Sequence, residues 1–250
     1  MRARLLSASG ALTRARTRDV ADLGRAAGPP STWTALGELG SGLDALRLAG
    51  AVPRLAGAPR GDGHLVVDIP GWRAPELSGA PLRSYLRRLG YDARGWGFGT
   101  NTGDPRRDVE RLAARVLELV DAAGAPASLV GWSLGGVIAR EVARRNPDAV
   151  RRVITYGTPV AGPAHTTVAR FFGEGPSDVE EVTRRLDAES PIRVPLTIMY
   201  SRRDGIVSWQ ACLDRTSPQA EHVEVSSRHI GMGVDPDVWA VVADRLAAAV

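Results

Sequence analysis

At 250 residues, of which 44% are apolar, the chain is long enough for one α/β domain with a full hydrophobic core. Its 32 basic residues are all arginine, yet 28 acidic residues reduce the net charge to +4 and no basic-aromatic stripe occurs, so nucleic acid is not an expected partner. Cys212 is the only cysteine, which excludes an internal disulfide and a multi-cysteine metal site.

Residues 1–63 carry the least regular pattern in the chain. After the break at Pro29-Pro30, Trp33 and a series of leucines recur at roughly helical spacing. This spacing predicts an N-terminal helical arm that packs on a domain formed by residues 64–250.

From residue 64 onwards, short apolar runs alternate with helical patterns. Helix ends are marked by Gly90, by the Asp104-Pro105 start and by Gly124, and further helices are predicted over Leu134–Arg145 and Asp237–Val250. The predicted strands are His64–Ile69, Tyr91–Phe98, Ser128–Gly131, Val150–Tyr156, Val194–Tyr200 and His222–Val225. This alternation predicts an α/β fold with a mostly parallel sheet of about six strands and helices on both faces.

One interval, 161–193, separates two predicted strands by more residues than a crossover needs. It contains Phe171-Phe172, Gly173, Gly175 and His165, and we expect His165 to be a solvated loop residue. Because long insertions between elements often cover a site, we predict a short lid insertion here.

Residues 131–135 read Gly-Trp-Ser-Leu-Gly between a predicted strand and a predicted helix. A sharp strand-to-helix turn would hold the Ser133 hydroxyl out of the fold, with strained backbone angles and no room for side chains at Gly131 and Gly135. A serine so placed becomes a nucleophile once it has a base. The five residues alone are also compatible with an ordinary helix start that a serine caps.

A base and an acid follow the last two predicted strands. Asp204 comes after the fifth strand and His229 after the sixth. Ligands bind beyond the carboxyl ends of strands in such a sheet, so the order Ser133, Asp204, His229 predicts a catalytic triad. His229 would move the serine proton, and Asp204 would orient the imidazole. The alternative acids are Asp214 and Glu224, and Asp68, inside the first predicted strand, is a further carboxylate that could touch the chemistry.

A tetrahedral oxyanion needs backbone donors beside the nucleophile. We assign them to the amides of Leu134, which follows Ser133, and of Trp72, in the loop after the first strand. Candidate substrate-binding residues are Trp132, Asn101 and Phe171. Aromatic side chains are more often core, and Asn101 lies in a Gly-Thr-Asn-Thr-Gly segment typical of turns.

From residue 64 to the end, the chain resembles an α/β-hydrolase of the lipase/esterase superfamily. The resemblance rests on Pro70-Gly71-Trp72, the serine motif, Tyr156-Gly157-Thr158-Pro159, Asp204-Gly205-Ile206-Val207 and His229-Ile230-Gly231-Met232. The Gly157-Thr158-Pro159 segment is similar to one that bacterial and mycobacterial-type lipases carry. Many relatives have His-Gly where this chain has Pro70-Gly71. The resemblance implies hydrolysis of a carboxylic ester through an acyl-enzyme, without a cofactor.

Two other functions fit the same residues. A thioesterase or acyltransferase would use the same triad, whereas a non-catalytic binding protein usually lacks a triad member or an oxyanion glycine.

The four histidines are scattered without paired acids, so we expect no metal site and place His64 and His222 at the surface. No apolar run of 18 residues occurs and no signal-peptide core is present, so a cytoplasmic protein without a membrane segment is expected. The expected partner is a small-molecule ester, and a homodimer is left open.

Overall fold

A computed structural model describes residues 15–23, 29–160, 166–167 and 185–249. At its centre lies one seven-stranded sheet with the order β1-β7-β6-β5-β4-β2-β3. The strands are β1 Arg16–Arg18, β2 Leu65–Ile69, β3 Asp92–Gly95, β4 Ala127–Trp132, β5 Val150–Tyr156, β6 Leu196–Ser201 and β7 Ala220–Val225. Every neighbouring pair is parallel except β1 with β7. The predicted, mostly parallel sheet is confirmed, with one more strand than expected.

Helices cover both faces of this sheet. Alternate residues of one strand point to opposite faces, so Val66 packs with α4 and α7 while Val67 packs with α5 and α6. The helices are α1 Thr32–Gly37, α2 Gly42–Gly50, α3 Val52–Ala56, α4 Ala80–Leu89, α5 Pro105–Ala123, α6 Leu134–Arg145 and α7 Pro236–Ala247. Two apolar layers, one on each face, therefore hold the sheet and fix the carboxyl ends of β4, β5, β6 and β7 side by side.

The helix ends follow the chemistry that the sequence predicts. Gly90 and Gly124 end α4 and α5 with φ angles of 104° and 68°, the left-handed region that glycine enters at low cost. The carboxylate of Asp104 accepts a hydrogen bond from the Arg107 amide at the start of α5. These caps set the lengths of the two helices and therefore where the loops near the serine begin.

The strand that the sequence did not reveal is β1, in the N-terminal arm. Arg16 pairs with Glu224 and Arg18 with His222 in an antiparallel ladder at the edge of the sheet. An ion pair of 3.1 Å joins Arg18 to Glu224. The arm is therefore not helical throughout, because three of its residues extend the sheet.

The described parts of the predicted lid are attached at both ends. Thr166 forms an antiparallel bridge with Val207, directly after the loop of Asp204. Near the other end, Asp187 forms ion pairs with Arg140 and Arg144 of α6. Phe171 and His165 lie outside the described residues, as does most of the interval 161–193.

Candidate active site

Strand β4 runs into a tight turn at Ser133, and α6 begins at the next residue. The φ and ψ angles of Ser133 are 52° and −122°, a conformation that costs a non-glycine residue about 1–3 kcal/mol. Three hydrogen bonds hold it there. Its amide donates to the Tyr156 carbonyl at 2.9 Å, and its carbonyl accepts from the Gly136 amide at 2.9 Å and the Thr158 hydroxyl at 3.0 Å. The strained turn that the sequence predicts is present.

The glycines around this turn are required by close backbone contacts. A Cβ atom at Gly131 would lie 2.5 Å from the Cα of Gly136. A Cβ atom at Gly135 would overlap the carbonyl oxygen of Ile69, the last residue of β2. The start of α6 is thereby pressed against the end of β2, and the loop that follows β2 comes to lie beside Ser133.

Asp204 and His229 meet beyond the carboxyl ends of β6 and β7. The Nδ1 atom of His229 lies 2.7 Å from Oδ2 of Asp204, and both side chains are buried. The other carboxylate oxygen, Oδ1, accepts the amides of Ile206 at 2.9 Å and Val207 at 2.7 Å, which fixes the carboxylate. With Nδ1 engaged, Nε2 is the ring nitrogen left to exchange a proton.

The environment of His229 favours its protonated form. Burial acts to lower the pKa of the imidazole, but the charge and hydrogen bond of Asp204, together with the charge of Glu38, raise this pKa above its usual value. A paired carboxylate stabilises the imidazolium that a general base becomes in the transition state. The pair therefore has the electrostatics of a base and its orienting acid.

The Trp132 ring connects the serine turn to the histidine. Its centre lies 5.6 Å from the centre of the His229 ring. A Cβ atom at Gly71 would lie 3.0 Å from the same indole and 3.3 Å from Cβ of Ser133. Trp132 therefore lies among the three predicted parts of the site: the nucleophile turn, the base and the oxyanion loop.

The loop after β2 brings Trp72 near the serine. The Trp72 ring packs over Gly103, where a Cβ atom would approach it to 2.6 Å, and the Arg73 guanidinium lies 5.2 Å from its centre. The Arg73 amide donates a hydrogen bond of 2.7 Å to the carbonyl of Asn101. Leu134, the other predicted oxyanion donor, is the first residue of α6. The two predicted donors thus belong to the loop and the helix start that flank Ser133.

Asn101 is fully buried behind this loop. Its side-chain amide donates a hydrogen bond of 2.8 Å to the Pro70 carbonyl, and its Oδ1 atom accepts the Gly103 amide at 3.1 Å. Both polar ends of the side chain are thus used inside the protein. Asn101 therefore joins the Pro70–Trp72 loop to the segment before α5, and its predicted substrate contact stays a prediction.

The alternative acids and Asp68 all have other partners. Asp68 pairs with Arg83, Asp214 with Arg140, and Glu224 with Arg18 and Arg202. His222 lies beside Asp214, but it accepts the Asp214 backbone amide at 3.1 Å instead of meeting the carboxylate. Its expected surface position is wrong, because His222 lies within β7 and is buried. Among the described residues, Asp204 is the acid whose carboxylate contacts the His229 ring.

A second Ser-His-Asp contact occurs at the opposite ends of the strands, where β2 and β4 begin. His64 contacts Ser128 through Nε2 at 3.0 Å and Asp62 through Nδ1 at 2.5 Å. The Ser128 side chain is fully buried near the start of β4, without a strained turn or a helix start beside it. A substrate has no access to it, so this contact is structural. The His64 side chain is largely buried, which corrects its expected surface position.

Sequence reasoning did not single out Thr158 as a support of the nucleophile. It lies in the Tyr-Gly-Thr-Pro segment that carries the family resemblance, and that segment was the available signal.

In the part of the chain that the structure describes, no group of three or more His, Cys, Asp or Glu side chains could hold a metal ion. No helix in the same part is both long and apolar enough to cross a membrane.

Comparisons with known proteins agree with this architecture. A family model described as the alpha/beta hydrolase fold matches residues 83–190. The biotin biosynthesis bifunctional protein BioHC of Teredinibacter turnerae is 37% identical over 62 residues, which are 25% of this chain and 10% of that protein. The match therefore spans only a tenth of the curated relative.

Solved structures share the fold at low sequence identity. Lipase B of Aspergillus fumigatus has a TM-score of 0.58 and 17% identity, over 74% of this chain and 53% of that chain. The mature lipase BlEst2 of Bacillus licheniformis has a TM-score of 0.58 and 15% identity, over 77% of this chain and 95% of that chain. The chain covers about half of the first and nearly all of the second. At these identities the likeness shows the α/β-hydrolase fold.

Proposed function

We propose that this chain is a member of the α/β-hydrolase superfamily and a serine hydrolase that cleaves carboxylic esters through an acyl-enzyme. The contact that carries the proposal is the 2.7 Å pairing of His229 with Asp204 next to the strained Ser133 turn. A buried imidazole whose Nδ1 is engaged by a fixed carboxylate is equipped to act as a general base through Nε2.

In the proposed reaction, the Ser133 hydroxyl attacks the ester carbonyl while His229 takes its proton. The oxyanion that forms accepts hydrogen bonds from the Trp72 and Leu134 amides, each worth roughly 3 kcal/mol in the barrier. The carbon–oxygen bond to the alcohol then breaks, and His229 returns the proton to the departing alcohol. The product of this half-reaction is an acyl group on Ser133.

Water completes the cycle. His229 takes a proton from the water as its oxygen attacks the acyl carbon, and the bond from that carbon to the Ser133 oxygen breaks. His229 then protonates Ser133, and a carboxylic acid leaves. Every proton in the two half-reactions moves through His229, so this scheme requires neither a metal nor a cofactor.

The Trp132 and Trp72 rings are the proposed walls nearest the reacting carbonyl. Trp132 contacts both the base and the oxyanion loop, and its buried indole N–H has no hydrogen-bond partner among the described residues. A bulky aromatic wall at this position supports an ester substrate with an apolar acyl group. Phe171, predicted as a third aromatic contact, remains a prediction from sequence.

The test compares Ser133, the proposed nucleophile, with Ser128, whose hydroxyl contacts His64. Ser133→Ala should abolish p-nitrophenyl ester turnover and fluorophosphonate labelling, because the nucleophile is lost. Ser128→Ala should retain both, because the Ser128–His64 contact is structural; thermal unfolding confirms that each variant is folded. Turnover and labelling that survive in Ser133→Ala would overturn the proposal. Parallel assays with thioesters and alcohol acceptors define the acyl-transfer specificity.

A further inference from the structure

The N-terminal arm reaches the two loops that carry Asp204 and His229. A Cβ atom at Gly205 would lie 2.8 Å from Cα of Ala35, so α1 packs directly on the loop that carries Asp204. The Arg228 guanidinium, next to His229 in the chain, lies 3.0 Å from where a Cβ atom of Gly40 would be and donates to the Gly40 carbonyl at 3.2 Å. A short 3-10 helix, Glu38–Gly40, directly follows α1 and lies near both loops.

The carboxylate of Glu38 binds backbone amides of both loops. Its Oε1 atom accepts the Gly205 amide at 2.8 Å and the His229 amide at 2.9 Å. Its Oε2 atom accepts the Ile230 amide and the Ser41 hydroxyl, each at 3.1 Å. One side chain, 167 positions before Gly205 in the sequence, thus joins the residue after Asp204 to His229 itself.

A carboxylate is suited to this role because its two oxygens offer about four acceptor sites and no donor. All four contacts are donated to Glu38, and hydrogen bonds to a charged acceptor are roughly twice as strong as neutral ones. In a Glu38→Gln variant, only one side-chain oxygen could still accept hydrogen bonds. The other oxygen would be replaced by an NH2 group, which is a donor and would face a donor of the loops.

We infer that Glu38 is a positioning residue for the Asp204–His229 pair, holding the two loops together so that carboxylate and imidazole meet, and placing a second negative charge beside the imidazole. The inference rests on the proposed function, because it concerns the base of the proposed reaction. It assigns the N-terminal arm a part in the site, although the arm contributes nothing to the sequence motifs.

The charges around His229 agree with this role. Asp204 and Glu38 both raise the pKa of the imidazole against the effect of burial. Arg228 directs its guanidinium to Gly40. Burial raises the pKa of the Cys212 thiol, close to Asp204, well above its usual value, so this group stays neutral. In the segment that follows His229, Asp235 and Asp237 form ion pairs with Arg47.

The experiment replaces Glu38 in the full chain and follows His229 in two ways. Its pKa is read from an NMR titration, with a His229→Asn variant to identify the signal, and from the acid limb of kcat/KM. In Glu38→Gln we expect both to move to lower pH and kcat on the plateau to fall about tenfold, as a displaced base allows. Glu38→Asp should keep the acid limb near its wild-type position, because the charge remains.

Glu76→Gln is the matched control. Glu76 accepts the Gly97 amide at 2.9 Å in a loop beside β3, so it is also a carboxylate that holds a loop amide. Its replacement should change neither the pKa of His229 nor kcat.

A merely structural role for Glu38 predicts a lower Tm with an unchanged pKa of His229, and that result would overturn the inference. If the wild-type protein hydrolyses no ester, the proposed function fails, but the NMR titration still decides the role of Glu38. If Glu38→Gln does not fold, the comparison of Glu38→Asp with wild type decides: a lower kcat with an unmoved acid limb supports positioning, and an unchanged kcat contradicts it.

Discussion

The hydroxyl of Thr158 donates a hydrogen bond of 3.0 Å to the carbonyl oxygen of Ser133. Thr158 is fully buried after β5, and its hydroxyl fills the space that a side chain at Gly136 would need. The strained serine therefore depends on a group from the loop after the neighbouring strand.

Thr158→Val should keep the shape of the side chain and remove the donor. The unfolding free energy should fall by about 1 kcal/mol, and kcat should fall several-fold because the serine turn loses one of its three hydrogen bonds. Thr155→Val is the control: Thr155 is equally buried, and its hydroxyl has no partner among the described residues. That change should leave both quantities unchanged or increase stability. Equal effects of the two variants in urea unfolding and ester kinetics would contradict this account.

The conformation of Ser133 predicts a stability difference between two inactive variants. At a φ of 52° and a ψ of −122°, a Cβ atom is strained, whereas glycine is not. We expect Ser133→Gly to be more stable than Ser133→Ala by about 1 kcal/mol in urea unfolding, because the strain relieved exceeds the chain entropy that glycine adds. Both variants lack the hydroxyl, so the comparison isolates the backbone. An alanine variant of equal or greater stability would show that the turn carries no strain.

Much of the fold was predictable because its signals are local. The central strands are short apolar runs, and the caps at Gly90, Asp104 and Gly124 are single residues with specific backbone chemistry. Strand β1 gives no such signal, since Arg-Thr-Arg has no apolar residue and becomes a strand only by pairing with β7.

The same distinction applies to the site. Ser133, Asp204 and His229 each follow a predicted strand. Because parallel strands end on the same side of a sheet, the fold itself brings these residues together at the carboxyl ends of the strands. Glu38 binds backbone amides, and any loop presents amides, so no residue pattern in the sequence indicates which loops it meets. Contacts from a side chain to distant backbone are visible only after the chain is folded.

Buried His222 predicts a loss of stability in acid. Burial lowers the pKa of the ring below its usual value, and Nε2 accepts the Asp214 amide, which requires the neutral form. The unfolded state therefore binds more protons below about pH 6.5, so the stability that His222 contributes is present above that pH and is lost as the pH falls. His222→Gln should weaken the fall in unfolding free energy between pH 7.5 and pH 5.5.

Asp68 acts with the opposite sign, since burial raises its pKa to about 6 in the folded protein. Its contribution to stability is lost as the pH rises through that value, and it is the same in wild type and His222→Gln. The difference between the two proteins in urea unfolding at each pH therefore isolates His222. Parallel pH dependences would show that His222 does not contribute to the acid sensitivity.

The last prediction separates two roles for Asn101. If this side chain supports the oxyanion loop through the Pro70 carbonyl, Asn101→Ala should lower kcat about tenfold or more and leave KM nearly unchanged, because an interaction made only in the transition state is weakened. It should also lower the unfolding free energy by about 1–3 kcal/mol, since a buried carbonyl loses its donor. A direct substrate contact would instead raise KM. Steady-state kinetics with one p-nitrophenyl ester, on protein shown to be folded at the assay temperature, distinguishes the two, and a variant with raised KM and unchanged kcat would restore Asn101 to the substrate-binding residues.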